Sequence, residues 1–354
     1  MPSSAKQRRR LTWPLIGALV VLLTSFLAAP ARATSYVYAI AFQGGNNNLW
    51  YYDSTTGPHD TGLFMGNFTS PAIAFTDSGD YEIAFQAHNG DLDLYFPNDG
   101  PPVDTGLPML ANTSPSVADD DTVAFHGANG DLWYWNGSGQ DTGLGEEFGT
   151  SPSITVSNSS LYTSDEIAFM ANGTKHLWVC TISQLQQCDT GLPMESTGGA
   201  HNGPSIGLVP RSGTCCYAAF QADTGDLWVW SADNAGQRNT SLGMDNTYTS
   251  PSIDRETAIY VAFQANNGNL YWYGTFSKNH FNTVLGMDPH SSPAVGPLVN
   301  PSTGLVADWI IAFTSNNDKL YTYQVSDNSH VPTGLLVAAE TSPSYAAGTR
   351  LTCC

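Results

Sequence analysis

Residues Tyr81-Glu82-Ile83-Ala84-Phe85-Gln86 alternate so that Ile83 and Phe85 point one way and the smaller or polar Ala84 and Gln86 the other. A period of two is that of a strand, and a small residue behind a large one suits a sheet packed closely on both faces. The turn Ala87-His88-Asn89-Gly90-Asp91 follows, in which Asn-Gly supplies the positive φ angles of a tight hairpin. A strand from Leu92 to Phe96 and a segment Asp104-Thr105-Gly106-Leu107 complete the unit, and Ser114-Pro115-Ser116-Val117 opens the next. The same phrase recurs with its phenylalanine at Phe42, Phe85, Phe125, Phe169, Phe220, Phe263 and Phe313, at intervals of 43, 40, 44, 51, 43 and 50. No run of comparable length has helical spacing. Seven units of four short strands predict an all-β chain, a seven-bladed β-propeller, in which one unit cannot bury both faces and stacking around a ring solves the problem.

The chain ends sharpen this. The first unit begins at its second strand, Tyr36 to Phe42, while the chain closes on an orphan first strand, Thr341-Ser342-Pro343-Ser344-Tyr345. The two ends are expected to build one blade together, a circular closure that leaves no open sheet edge. Alternation of strand direction puts the Asn/Gly hairpins and the inter-blade connectors on one rim, here called the top.

The units Ala219 to Trp228 and Ala262 to Tyr271, each followed by Leu-Gly-Met and Ser-Pro, resemble the repeats of tachylectin-like and tectonin-type lectin propellers of secreted bacterial proteins. The likeness runs over residues 36 to 348. It implies sugar binding at repeated sites near the blade junctions, with ligand residues that vary between members. Fungal fucose-lectin propellers place an arginine in each sugar pocket; beyond residue 33 this chain has only Arg211, Arg238, Arg255 and Arg350, so that pattern is absent.

The candidate carbohydrate-binding residues lie on the top rim and just below it. Trp50, Trp133, Trp178, Trp228, Tyr271 and Tyr321 follow the turns and could stack on the apolar face of a pyranose; their periodicity fits blade packing equally well. In the second blade Asp93 replaces the aromatic, so stacking is not expected there. Asn89, Asn129, Asp131, Asp226, Asn267 and Asn269, with His88, come from the turns, and Glu146, Glu147, Glu195, Asp245, Asp288 and Glu340 from the connectors. They form a polar ring able to hydrogen-bond sugar hydroxyls or hold a cation, although tight turns select Asn and Asp in any case.

Other chemistry is disfavoured. Asp-Thr-Gly occurs at Asp60, Asp104, Asp141 and Asp189, but an aspartic-protease mechanism needs two carboxylates sharing a proton, and copies spread round a ring cannot meet. They read as strand entries. The eight histidines lack metal-ligand spacing, and no nucleophile elbow or phosphate loop is present, so no catalytic centre, metal or cofactor is expected. The one local candidate for an enzyme is the long connector Glu195 to Pro204 with His201. A protein-binding or structural propeller is the main rival to the lectin reading.

Composition adds three points. Aromatic residues make up 11% and charged residues only 12%, so the chain can build a core and is not disordered. At a formal net charge of −19 it lacks the clustered Lys and Arg that nucleic-acid binding requires. Lys6, Arg8, Arg9 and Arg10, the apolar stretch Leu15 to Leu27, and Ala31-Arg32-Ala33 form a secretory signal peptide, residues 1–33, leaving a propeller over 34–354. The apolar core is too short to span a bilayer, so the mature protein is expected to be extracellular and not membrane-inserted. Of six cysteines, Cys180 and Cys188 flank one loop and should pair, while Cys215-Cys216 and Cys353-Cys354 should each close as a vicinal bridge.

Overall fold

The computed structural model describes residues 36–348, apart from 77–78, 160–161, 186–187, 197–202, 209–215, 233–235 and 246–247. It is a propeller of seven four-stranded antiparallel sheets. A single 3-10 turn at Ile182–Gln184 is the only helical element among the described residues. Six blades take four consecutive strands each. The other joins Ser344–Ala347 from the C-terminal region to Tyr38–Gln43, Asn48–Asp53 and Gly57–Phe64, with Ala41 opposite Ser344 and Tyr38 opposite Ala347. The circular closure is therefore present.

Packing follows the alternation. The phenylalanines at 42, 85, 125, 169, 220, 263 and 313 are all fully buried, and each of the seven apolar clusters draws residues from two adjacent blades. Ile83 and Phe85 pack with Leu49 and Ala41 of the preceding blade, while Ala84 lies with Val117, Val123 and Phe125 of the following one. Each buried phenylalanine removes enough apolar surface to contribute ~1.5–3 kcal/mol.

The Ser-Pro-Ser phrase staples the blades around the axis. The Ser70 N–H donates to Ser114 Oγ at 2.9 Å and Ser114 N–H to Ser151 Oγ at 2.9 Å. The N–H groups of Gly203, Ser250, Ser292 and Ser342 donate in turn to Ser250, Ser292, Ser342 and Ser70 Oγ, each at 2.8 Å. The one step lacking a hydroxyl is at Gly203, where an added Cβ would sit 2.2 Å from the Ser151 carbonyl oxygen. The third residue of the phrase works in the opposite sense: Ser344, Ser116, Ser153, Ser205 and Ser252 accept from the backbone of the next blade. Proline between the two serines removes a donor that would have no partner in this crowded inner strand.

Asp-Thr-Gly is a β-bulge. Asp60 Oδ1 accepts from Gly62 N–H at 2.9 Å, Thr61 Oγ1 donates to Leu49 O at 2.7 Å, and Gly62 has φ +71°. The ladder slips there between Asn48 and Trp50. The motif thus lies within the outer strand in three of the four blades that carry it and opens the strand only at Asp189 in the fourth. Gly is preferred because the third position is left-handed.

Cys180 and Cys188 form a disulfide with a Cα separation of 4.8 Å, tying the third strand of the fourth blade to the start of its outer strand. Cys216 is buried at the start of the second strand of the fifth blade with a free thiol, so the expected Cys215–Cys216 bridge is not formed. Cys353 and Cys354 lie outside the described residues, and with them the other expected vicinal bridge. The bottom of the axis is crossed by Arg255, a sixth-blade residue whose guanidinium donates to Val117 O and Ser116 Oγ of the third blade. Neighbouring Asp254 accepts from Trp309 Nε1 at 2.8 Å.

Candidate functional site

Turns and connectors share the top rim, as the strand count requires. In every junction the hairpin turn of one blade donates a backbone bond to the outer strand of the blade before it: Gly45 to Leu336, His88 to Phe64, Ala128 to Pro108, Asn172 to Gly145, Asp223 to Pro193, Asn266 to Gly243 and Asn316 to Gly286. The turns therefore roof the junctions.

Beneath this roof lie the candidate aromatics. Trp50, Trp133, Trp178, Trp228, Tyr271 and Tyr321 are all half-buried, and each packs on the phenylalanine opposite it on the second strand, with ring centroids 5.7–6.3 Å apart. The leucine after the bulge of the preceding blade packs against the same apolar cluster, Leu335 with Trp50 and Leu107 with Trp133. Each ring thus straddles a blade junction, partly core and partly accessible.

The polar candidates gather over these rings blade by blade. In the third blade Asn129 accepts from Trp133 Nε1 at 2.9 Å and donates to Asp131 at 3.0 Å and Asp141 at 2.9 Å. Asn46, Asn48 and Asp60 repeat this arrangement above Trp50, a set that turn chemistry alone did not single out. Asn267 donates to Tyr271 Oη at 3.2 Å and accepts from the Asn269 N–H. Asp226 accepts from Asn239, and in the fourth blade His176 sits 3.0 Å from Asp189, below which Trp178 lies without a candidate amide. Tyr321 stacks on His330 instead. The readable signal for the missed residues is positional: the first residue of the third strand meets the first residue of the bulge at Asn48 and Asp60, His176 and Asp189, and Asp226 and Asn239.

One junction opens into a recess of about 280 Å³ lined by Thr224, Gly225, Asp226, Gly243, Met244, Asp245 and Asn266. Two carboxylates and an amide rim it, and the buried Met244 floors it.

Two blades depart from the repeat. In the second, Asp93 faces Asp104 and lies near Asp91, and burial together with these two carboxylates raises its pKa to about 6. Asn89 donates to Asp91 at 2.9 Å. Between the third and fourth, Glu146 occupies the buried position held by Met65 and Met109 elsewhere, with His126 Nδ1 3.8 Å from its carboxylate. Burial pushes the Glu146 carboxyl well up and the His126 imidazole down. Among the described residues no group of three or more His, Cys, Asp or Glu is arranged to hold a metal ion. The central part of the Glu195–Pro204 connector, with His201, lies outside the described residues.

No family model and no curated protein matches the chain. Solved structures do. AofleA from Arthrobotrys oligospora matches with a TM-score of 0.50 at 12% identity, over 79% of this chain and 90% of that one. A triple arginine-to-alanine variant of AofleA gives 0.51 at 14% identity, over 79% and 89%. The SapL1 lectin in complex with α-methyl fucoside gives 0.49 at 12% identity, over 78% and 97%. The likeness to AofleA is one of fold. Of the four arginines beyond residue 33, the two described are engaged within the protein: Arg238 donates to Tyr273 Oη and Thr275 O of the next blade, and Arg255 to Val117 O and Ser116 Oγ across the axis.

Proposed function

We propose that this chain is an exported carbohydrate-binding propeller, with weak sites repeated at its blade junctions and no catalytic centre. The observation that carries the reading is the recess at Asp226, Asp245 and Asn266, together with the Asn/Asp clusters held over half-buried aromatics at Trp50, Trp133 and Tyr271. Amides and carboxylates matched to hydroxyls beside an apolar ring face are what a pyranose requires. The repeat resemblance to lectin propellers points the same way. Each site is shallow, and several on one rigid ring raise avidity by ~10²–10⁴ towards a surface that displays many glycans. The acidic connectors favour neutral or amino sugars over sulfated or sialylated ones. A glycan-array screen of residues 34–354 tests this, with binding to neutral or amino glycans expected. A screen empty of both would return the protein to the protein-binding class.

A further inference from the structure

One residue on each outer strand governs access to the junction beside it. It is the residue whose carbonyl accepts the backbone bond from the turn of the next blade: Leu336, Phe64, Pro108, Gly145, Pro193, Gly243 or Gly286. Four of these are bulky and cover the junction. Phe64 is 60% exposed and meets His88 of the next blade edge to face at 6.4 Å. Leu336, 58% exposed, stands over Gly45, where an added Cβ would lie 3.3 Å from it. Pro108 and Pro193 hold the same place in two other junctions.

The three glycines are not required by the backbone, since none of them has positive φ. Glycine inside a strand otherwise marks a close approach, and here an asparagine of the next turn approaches. An added Cβ would sit 2.5 Å from Asn266 Nδ2 at Gly243, 3.0 Å from Asn316 Nδ2 at Gly286 and 3.4 Å from Asn172 Cβ at Gly145. The ladder brings a second polar residue to each glycine: Asp131 pairs with Gly145, Asp226 with Gly243 and Asn269 with Gly286. Among the described residues the exposed side-chain amides of Asn172, Asn266 and Asn316 are bonded to no protein group, whereas Asn46 and Asn129 are tied to Trp50 and Trp133. The 280 Å³ recess is this frame at the fifth and sixth blades, with Gly243, Asn266 and Asp226 in its lining.

We propose that these three glycine and asparagine pairs are the specificity determinants of the sugar sites. Each ring then holds three sites, between blades three and four, five and six, and six and seven, and their ligand class is a neutral pyranose with two adjacent free hydroxyls. The inference rests on the sugar-binding reading above and narrows it. The asparagine amide donates to one hydroxyl oxygen, and the facing Asp131, Asp226 or Asn269 accepts from the neighbouring hydroxyl, which matches the capacity of a hydroxyl to do both. At the fifth and sixth blades, Asp226 and Asp245 oppose a carboxylate or sulfate on the ligand. The aromatic candidates support the same sites from below: Trp133 holds Asn129 beside Asp131, and Tyr271 holds Asn267 beside Asn269.

The probes are methyl β-galactoside, methyl α-mannoside and methyl β-glucoside, titrated into isotope-labelled residues 34–354 while backbone and side-chain amides are followed by NMR. At least one glycoside gives saturable shifts of the Asn172, Asn266 and Asn316 side-chain amides and none at the turn amides of Gly45, His88, Ala128 and Asp223. Methyl glucuronide binds about tenfold more weakly. Gly243→Leu, which copies Leu336, removes the Asn266 response and leaves the other two. Asn266→Ala, which copies Ala128, weakens binding read at the Asp226 amide about tenfold in a folded protein. Saturable shifts at any of the four covered junctions, an Asn266 response that survives Gly243→Leu, parental binding by Asn266→Ala, or glucuronide binding as tight as that of the neutral glycosides would overturn the proposal and leave sugar binding standing. No response to any of the three glycosides would overturn the sugar reading itself and this inference with it.

Discussion

Glu82 is a fully buried carboxyl whose oxygens accept no hydrogen bond from the surrounding groups, on the second strand of the second blade opposite Ala74. Burial, and then Asp121 and Asp120 on the next blade, raise its pKa from 4.5 to about 9. Below pH 4.5 the group is protonated in both states and has no effect on stability. Between 4.5 and 9 the folded protein holds a proton that the unfolded chain has released, so stability falls as pH rises. At about 1.4 kcal/mol per unit, the interval from pH 5 to pH 8 removes on the order of 4 kcal/mol. Asp165, raised to about 7 by burial and Asp120, and Asp119, raised to about 6 chiefly by burial, act in the same direction. Glu82→Gln keeps the shape and removes the titration. Denaturant unfolding of residues 34–354 and of the variant at pH 5, 6, 7 and 8 should show the variant close to the parent at pH 5 and several kcal/mol more stable at pH 8. Parallel profiles would refute the reasoning.

Deleting residues 341–354 removes the first strand of the shared blade and should cause aggregation or loss of cooperative unfolding, whereas deleting 1–33 leaves the thermal transition in place. Gly203→Ala pushes a methyl group against the Ser151 carbonyl and should lower stability by about 1–3 kcal/mol in a denaturant titration; an unchanged midpoint would mean that the blades are not in contact there. Non-reducing peptide mapping after alkylation should recover Cys180 linked to Cys188 and Cys216 as an alkylated free thiol, and a disulfide at Cys216 would contradict the structure.

The fold was legible because the repeat carries it. Phe, turn and bulge recur seven times and the aromatic six, and the split blade follows from which strand is missing at each end. The bulge at Asp60-Thr61-Gly62 was visible as a motif but not as a bulge, since only pairing shows the register slip at Trp50. The serine rings were not legible: which blade an Oγ reaches depends on the radius of the ring, not on spacing in the chain. The same holds for Arg255, which finds its partner 138 residues away. Glu82 sits in the position that Ala39 and Thr122 hold in neighbouring blades, so its burial was hidden by an unremarkable polar letter. At the candidate site the residue types were readable and their grouping was not. Asn129 and Trp133 are four apart and bond directly, but Asp141 joins them only through the outer strand.

Retention on glycan-coated beads tests the central claim most directly, using the mature chain and the triple variant Trp133→Ala, Trp228→Ala and Tyr271→Ala. The account predicts retention of the parent on neutral or amino-sugar beads, release by free sugar, and loss of retention in the variant while circular dichroism still reports an intact propeller. Equal retention by a folded triple variant, or no retention of the parent on any such bead, would contradict it.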